Sequence, residues 1–184
     1  MSRSAISALT LLGPLNLALP CAPVLSAQVD VAWTQPTRGV SIAADDANNV
    51  FTVDYEHALG SEMVVTKRDV TGALLWTASF DQTDFTKWER AQWIATDSQG
   101  SAVVVGTMMS GFSNPVVAAS IAMKFDANGT RLWRRVFDSA FDGSSTRKCL
   151  VDAADNIYVL GLGIGQNGLV TRVRKFDADG HTLW

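Results

Sequence analysis

From about residue 40 onward, the chain alternates between short runs of β-branched and aromatic residues and short polar clusters rich in Asp, Asn and Gly. Val50-Phe51-Thr52-Val53, Ala102-Val103-Val104-Val105 and Ile157-Tyr158-Val159-Leu160 are such runs, and their composition suits strands on a pleated, half-buried surface. No stretch beyond residue 27 keeps a helical period. The pattern predicts four strands in each of three stretches. They run near 39–44, 49–54, 62–69 and 73–80, then 91–96, 101–107, 117–126 and 130–137, then 147–152, 156–161, 168–176 and 181–184.

The three stretches are copies of one another. Lys67-Arg68-Asp69-Val70-Thr71-Gly72-Ala73-Leu74-Leu75-Trp76 aligns with Lys124-Phe125-Asp126-Ala127-Asn128-Gly129-Thr130-Arg131-Leu132-Trp133 and with Lys175-Phe176-Asp177-Ala178-Asp179-Gly180-His181-Thr182-Leu183-Trp184. An upstream block recurs in the same order, beginning at Asp45, Asp97 and Asp152. Each Asp can open a type I turn whose carboxylate accepts the N–H two residues on. Gly72, Gly129 and Gly180 supply the left-handed residue that closes the hairpin, and Asn48, Gly100 and Asp155 do so in the upstream block.

A period of about 50 residues built from four strands favours the blades of a β-propeller. One blade cannot bury both its faces, whereas stacked blades can, and a bulky residue at one recurring strand position fills the gap between them. Trp76, Trp133 and Trp184 are expected in that structural role. Val31-Ala32-Trp33-Thr34 is similar to the fourth strand of a repeat, matching Leu75-Trp76-Thr77. Three blades do not close a ring of 4–8, so the expectation is a segment of a larger ring from an interrupted reading frame. The alternative is self-association, with two chains completing six blades.

The repeats carry the pattern Val-x-x-Asp-x-x-Gly-Asn-x-Tyr-Val-x-Gly followed by Lys-Phe-Asp-x-Asp-Gly-x-x-Leu-Trp. Their best instances are Asp152 to Gly161 and Lys175 to Trp184. In this the chain resembles the bacterial β-propeller repeats of the SBBP type over about residues 40 to 184. Asn48, Asp155 and Asp54 depart from the family's glycines. The resemblance implies a secreted or surface-associated bacterial propeller and no single activity. The Gly-x-x-x-Trp spacing also resembles the tryptophan-docking repeat of quinoprotein propellers. A quinone enzyme would further need a central acidic, calcium-binding site, which no motif here identifies.

Residues 1–27 read as a secretory signal. Arg3 precedes the apolar run Ala5 to Pro20, and Leu25-Ser26-Ala27 offers small residues for cleavage. The product would span 28–184, be exported to the periplasm, cell surface or medium, and have no transmembrane segment. Cys21 lacks the flanking residues of a lipobox. Removing Arg3 leaves 14 basic against 18 acidic residues, a net charge of −4 from the −3 of the whole chain. That balance gives no basic face for nucleic acid or for an anionic membrane. One cysteine remains, Cys149, and its apolar surroundings predict a small buried hydrophobe.

Catalytic and cofactor motifs are weighed against this frame. Gly163-Ile164-Gly165-Gln166-Asn167-Gly168 fits Gly-x-Gly-x-x-Gly, but a dinucleotide needs a helix next, and Leu169 to Arg174 alternates as a strand does. Asp177-Ala178-Asp179-Gly180 resembles part of a calcium loop without the further oxygen ligands, and the hairpin turn explains the same residues in all three repeats. The segment differs by one residue in spacing from a sialidase Asp-box. His57 and His181 accompany no nucleophile elbow and no metal-ligand spacing. No catalytic residue, cofactor or metal ligand is therefore assigned. If the module binds a protein or glycan, the loops 55–61, 81–90, 107–116, 138–147 and 162–167 share one end of the blades. Tyr55, His57, Trp88, Arg90, Met108, Phe112 and Asn167 are the candidate ligand-binding residues, since recognition commonly sits on loops carried by a rigid scaffold.

Overall fold

A computed structural model describes residues 33–34, 39–56, 62–80, 87–110, 118–140 and 145–184. Residues 1–27, expected to be a signal segment, lie outside them, as do His57 and Phe112. The described residues form one compact unit. Among the described residues, eleven strands make up three antiparallel sheets. The first contains β1 (Ser41–Ala44), β2 (Val50–Glu56), β3 (Glu62–Arg68) and β4 (Leu74–Phe80). The second contains β5 (Lys87–Thr96), β6 (Ala102–Ser110), β7 (Ala118–Phe125) and β8 (Arg131–Ala140). The third contains β9 (Ser145–Val151), β10 (Ile157–Gly165) and β11 (Gly168–Phe176). Its predicted fourth strand is present as a single bridge, Phe176 to Thr182, with Leu183 N donating to Lys175 O at 2.8 Å. Within each sheet the strands follow chain order, and β5 packs beside both β1 and β9. The sheets thus stack like blades, and we call them blades 1 to 3.

Two apolar cores fill the gaps. Phe51, Val53, Met63 and Val65 of blade 1 meet Ile94, Val104, Ile121 and Met123 of blade 2. Val103, Val105 and Ala122 of blade 2 meet Cys149, Ile157, Val159 and Phe176 of blade 3. Strand β6 shows why the sequence folds this way. Successive side chains point to opposite faces, so Ala102 and Val104 enter one core while Val103 and Val105 enter the other. A strand buried on both sides reads as an unbroken apolar run, and all four residues are fully buried. Each larger side chain removed from water this way contributes about 1.5–3 kcal/mol.

The six turns follow the Asp mechanism. Asp97 Oδ1 accepts from Gln99 N at 3.0 Å and from Ser101 N at 2.8 Å. Asp126 does the same with Asn128 and Thr130, and Asp177 with Asp179 and His181. Gly72, Gly129 and Gly180 take φ of 85°, 87° and 77°. Asn48 and Asp155, which stand where the repeat pattern has Gly, adopt φ of 60°. Asp155 gains a partner by the exchange, because its carboxylate receives Ser98 N at 2.9 Å and Ser98 Oγ at 2.8 Å from blade 2. At the other departure, Asp54, β1 ends its pairing at Ser41–Val53. In blade 2 the matching Gly106 lies against a bulge between Ala91 and Trp93, and a Cβ there would stand 2.1 Å from Arg90 O.

Strands outrun their predicted ends on the loop side. The loop expected at 162–167 shrinks to Gln166–Asn167, because β10 and β11 pair from Ile157–Phe176 out to Gly165–Gly168. The Gly-x-Gly-x-x-Gly stretch is therefore a hairpin tip with no helix following. The loops expected at 81–90 and 107–116 likewise lose residues to β5 and β6. Ladder bonds join backbone to backbone, so pairing continues through residues whose side chains carry no strand signal.

Two measurements check this packing. Gly129→Ala adds a Cβ 2.8 Å from Trp76 Cδ2 at positive φ, so urea unfolding should show a loss of about 2–4 kcal/mol. Gly168→Ala, with open space around it, should lose only about 1–2 kcal/mol from backbone strain. The Cys149 thiol, pushed up to about 12 by burial, should react with a thiol reagent only as fast as blade 3 separates from blade 2. Labelling at the rate of a free thiol in native buffer would contradict the assigned core.

Candidate functional site

Polar residues are engaged at the turn end of the blades. There they form joints. The indole of Trp76 lies on Gly129, where a Cβ would be 2.8 Å from the ring, and Trp76 Nε1 donates to Ala127 O at 2.8 Å. The indole of Trp133 lies on Gly180, and Trp133 Nε1 donates to Ala178 O at 3.1 Å. Trp33 lies on Gly72 in the same way. Each joint between described blades has a second donor. Lys67 Nζ reaches Ala127 O at 3.4 Å, and Lys124 Nζ reaches Ala178 O at 3.1 Å. The absence of a glycine side chain lets the indole approach the turn, and the carbonyl beside it takes both donors.

Each lysine is held by the upstream aspartate of its own blade. Lys67 Nζ stands 3.1 Å from Asp45 Oδ2 and Lys124 Nζ 2.8 Å from Asp97 Oδ2, with all four side chains buried. Burial is the largest single influence on Asp97 and opposes its charge, yet the hydrogen bonds from Lys124 and Ser101 together hold its carboxyl below the usual range. The balance is the same for Asp45, with Asn49 and Lys67 as the donors. Asp152 is lowered chiefly by Asn156, and Asp177 chiefly by the His181 N–H. The Asp177 carboxylate, singled out as part of a possible calcium loop, thus accepts from its own turn and lies 3.0 Å from His181 Nδ1. Among the described residues, no group of three His, Cys, Asp or Glu could hold a metal ion.

The residues proposed for ligand binding divide differently. Tyr55 and Trp88 take backbone positions in β2 and β5, opposite Met63 and Met109. Arg90 is exposed in β5 opposite Thr107, and Asn167 is exposed at the β10–β11 turn. The expectation that Tyr55, Trp88, Arg90 and Met108 are loop residues is corrected: all four lie within strands. Trp88, Arg90 and Met108 lie on adjacent strands of blade 2, but the register pairs Met108 with Glu89 and so places it on the other face from the Trp88 and Arg90 positions, while Tyr55 and Asn167 belong to blades 1 and 3. His57 and Phe112 fall outside the described residues.

Met108 is engaged by a cluster that the sequence did not indicate. Glu89, 1% exposed, faces Met108 across the β5–β6 ladder. Arg134 Nη2 lies 3.0 Å from Glu89 Oε1 and 3.6 Å from Met108 Sδ. The Arg134 guanidinium covers the Phe80 ring of blade 1 at 5.0 Å, and Arg131 covers it at 4.9 Å. This arrangement ties β5 to β8 and both to blade 1. Its carboxylate has no surface from which to meet a substrate. Glu89 and Arg134 lie 45 residues apart, so only the strand order could bring them together.

No protein-family model matches the chain, and no curated protein matches it. Among solved structures it is similar to an ulvan lyase of polysaccharide lyase family PL25. The TM-score is 0.51 at 11% identity, covering 76% of this chain and 41% of the lyase. The same lyase bound to -[GlcA(1-4)Rha3S]- gives equal values. A Bacteroides caccae protein of unknown function matches at TM-score 0.48 and 13% identity, over 82% of this chain and 46% of that one. The chain thus spans less than half the length of these structures. The likeness to the lyase is one of fold. Together with the three stacked antiparallel sheets, it defines the class: this chain has an all-β, propeller-like fold.

The aspartates of the joints should make stability fall in acid. Their folded pKa values are depressed, so their contribution is complete above the unfolded value of about 3.9 and is lost as pH falls through the folded ones. Urea midpoints should therefore be level from about pH 5 to 8 with respect to these groups and drop below about pH 4. Asp97→Asn should cost about 3–5 kcal/mol at pH 7 by leaving Lys124 buried without its counter-charge, and the acid drop should be smaller in that variant. An equal acid drop in both proteins would remove Asp97 from this role.

Proposed function

We propose that residues 28–184 act as an exported β-propeller binding or scaffold module, with its ligand met at the loop end of the blades. The observation that carries this reading is the division of labour between the two ends. Gly72, Gly129 and Gly180, with Trp76, Trp133, Lys67 and Lys124, are engaged in joints at the turn end. The connections at the other end differ in length between blades, from the two residues Gln166–Asn167 to the seven at 111–117. A scaffold with one repeated end and one varied end suits recognition on the varied end. Export rests on the signal-like residues 1–27, and membership of the SBBP type rests on the repeat pattern of residues 40–184.

A polysaccharide is the first ligand to test, because one fold neighbour is a polysaccharide lyase. The protein should bind at least one glycan in a panel that includes uronic-acid and sulfated polymers. Arg90→Ala and Asn167→Ala should each weaken that binding about tenfold, or about 1.4 kcal/mol, and Asn167→Ala should do so with an unchanged urea midpoint. Binding that ignores both substitutions would move the site elsewhere. Absence of binding to any glycan or peptide would favour a purely structural surface repeat. The enzyme reading is a quinoprotein-like propeller, which the indole-on-glycine joints favour. Redox activity upon adding a quinone and calcium would establish it in place of the binding module.

A further inference from the structure

Strands β5 and β9 share an irregularity that the joints do not require. In β5 the register steps from Ala91–Gly106 to Trp93–Val105 and leaves Gln92 as an extra residue. In β9 it steps from Thr146–Gly161 to Lys148–Leu160 and leaves Arg147 extra. Gln92 and Arg147 stand at equal distances before Asp97 and Asp152, so both bulges occupy one position of the repeat. A bulge takes a residue out of the ladder and re-aims its side chain. β5 and β9 are the edge strands of their sheets and lie beside each other. Lys148 spans the gap between them, its Nζ 4.6 Å from the centre of the Trp93 ring.

Charge is distributed unevenly here. The whole chain carries 15 basic against 18 acidic residues. Within β5 and β9 the basic residues are Lys87, Arg90, Arg147 and Lys148, and the one acid is Glu89. Glu89 is buried on the side of β5 that faces blade 1 and is paired with Arg134. Alternation puts the Arg90 position on the other side of β5, towards β9. Arg147 and Lys148 are exposed, and neither has an acidic partner among the described residues. Gln92 Oε1 accepts from Thr107 Oγ1 at 3.2 Å, which leaves the amide N–H groups to donate elsewhere.

We propose that the paired bulges of β5 and β9 form a site for a carboxylate or sulfate group carried on a sugar. Arg147 and Lys148 are its cations, and the Gln92 amide is a further donor. The proposal rests on the glycan reading above and adds the charge that the glycan must carry. A guanidinium offers two parallel N–H groups that match a carboxylate or sulfate edge. Trp93 is a positioning residue, since the negative face of its ring holds the Lys148 ammonium towards β5. Arg90 adds to the positive field without needing to touch the anion. The contact of Lys148 with Trp93 sets the site between blades 2 and 3, where β5 has β1 on one side and β9 on the other.

The test titrates the full chain with polyglucuronate, dextran sulfate and neutral dextran by calorimetry at low ionic strength. At least one anionic polymer should bind and neutral dextran should not. Which of the two binds more tightly distinguishes the carboxylate from the sulfate. Arg147→Ala and Lys148→Met should each weaken that binding at least about tenfold. Arg68→Ala, which removes one charge at the turn end, should change it less than about twofold, because screening confines the field of a distant exposed charge. The urea midpoint of Arg147→Ala should not move, since that side chain is exposed. Failure of both anionic polymers to bind would overturn the proposal. An equal loss in Arg68→Ala would also overturn it, by reducing the effect to net charge. Glycan binding indifferent to Arg147 and Lys148 would overturn it too, while leaving the binding module standing.

Discussion

The structure depends on the seating of an indole from one sheet upon a left-handed glycine of the next. A four-stranded sheet has two faces, and water exposes whichever face has no neighbour. The apolar cores between the blades remove that exposure without fixing which residue meets which. The indole on glycine does fix it, because a flat ring closes on a backbone turn only where no Cβ intervenes. The shared carbonyl, taken by Trp Nε1 and Lys Nζ together, sets the height at which neighbouring blades meet.

The ion pairs follow from that joint. A lysine that must reach a carbonyl in the next blade is drawn out of water, and a buried ammonium needs a counter-charge. Asp45 and Asp97 supply it from the upstream turn of the same blade. The same aspartates hold their own turns through backbone N–H groups. One carboxylate therefore shapes a turn, neutralises a lysine and steadies a neighbour's carbonyl. Residue types that resemble calcium ligands or catalytic acids in sequence are engaged in architecture.

Much of this was legible because it is local. The Asp-x-x-Gly turns, the strands beside them and the stacking role of Trp76 and Trp133 follow from residue types at fixed short spacings. Asn48 and Asp155 in place of glycine were readable too, since Asn and Asp tolerate positive φ. The loop end was less legible. Trp88, Arg90 and Met108 were expected in loops and lie in strands, because ladder pairing runs on wherever a partner backbone continues. The tie of Glu89 to Arg134 was not foreseen, since no short spacing links them.

The sequence by itself determined the repeat and its turns, because each rests on interactions a few residues apart. Tertiary structure alone decided which turn receives which indole, that Ser98 of blade 2 binds Asp155 of blade 3, and that Met108 faces an arginine. Those contacts join residues 26 to 57 positions apart. Their partners are chosen by how sheets stack, and a linear pattern carries no record of that distance.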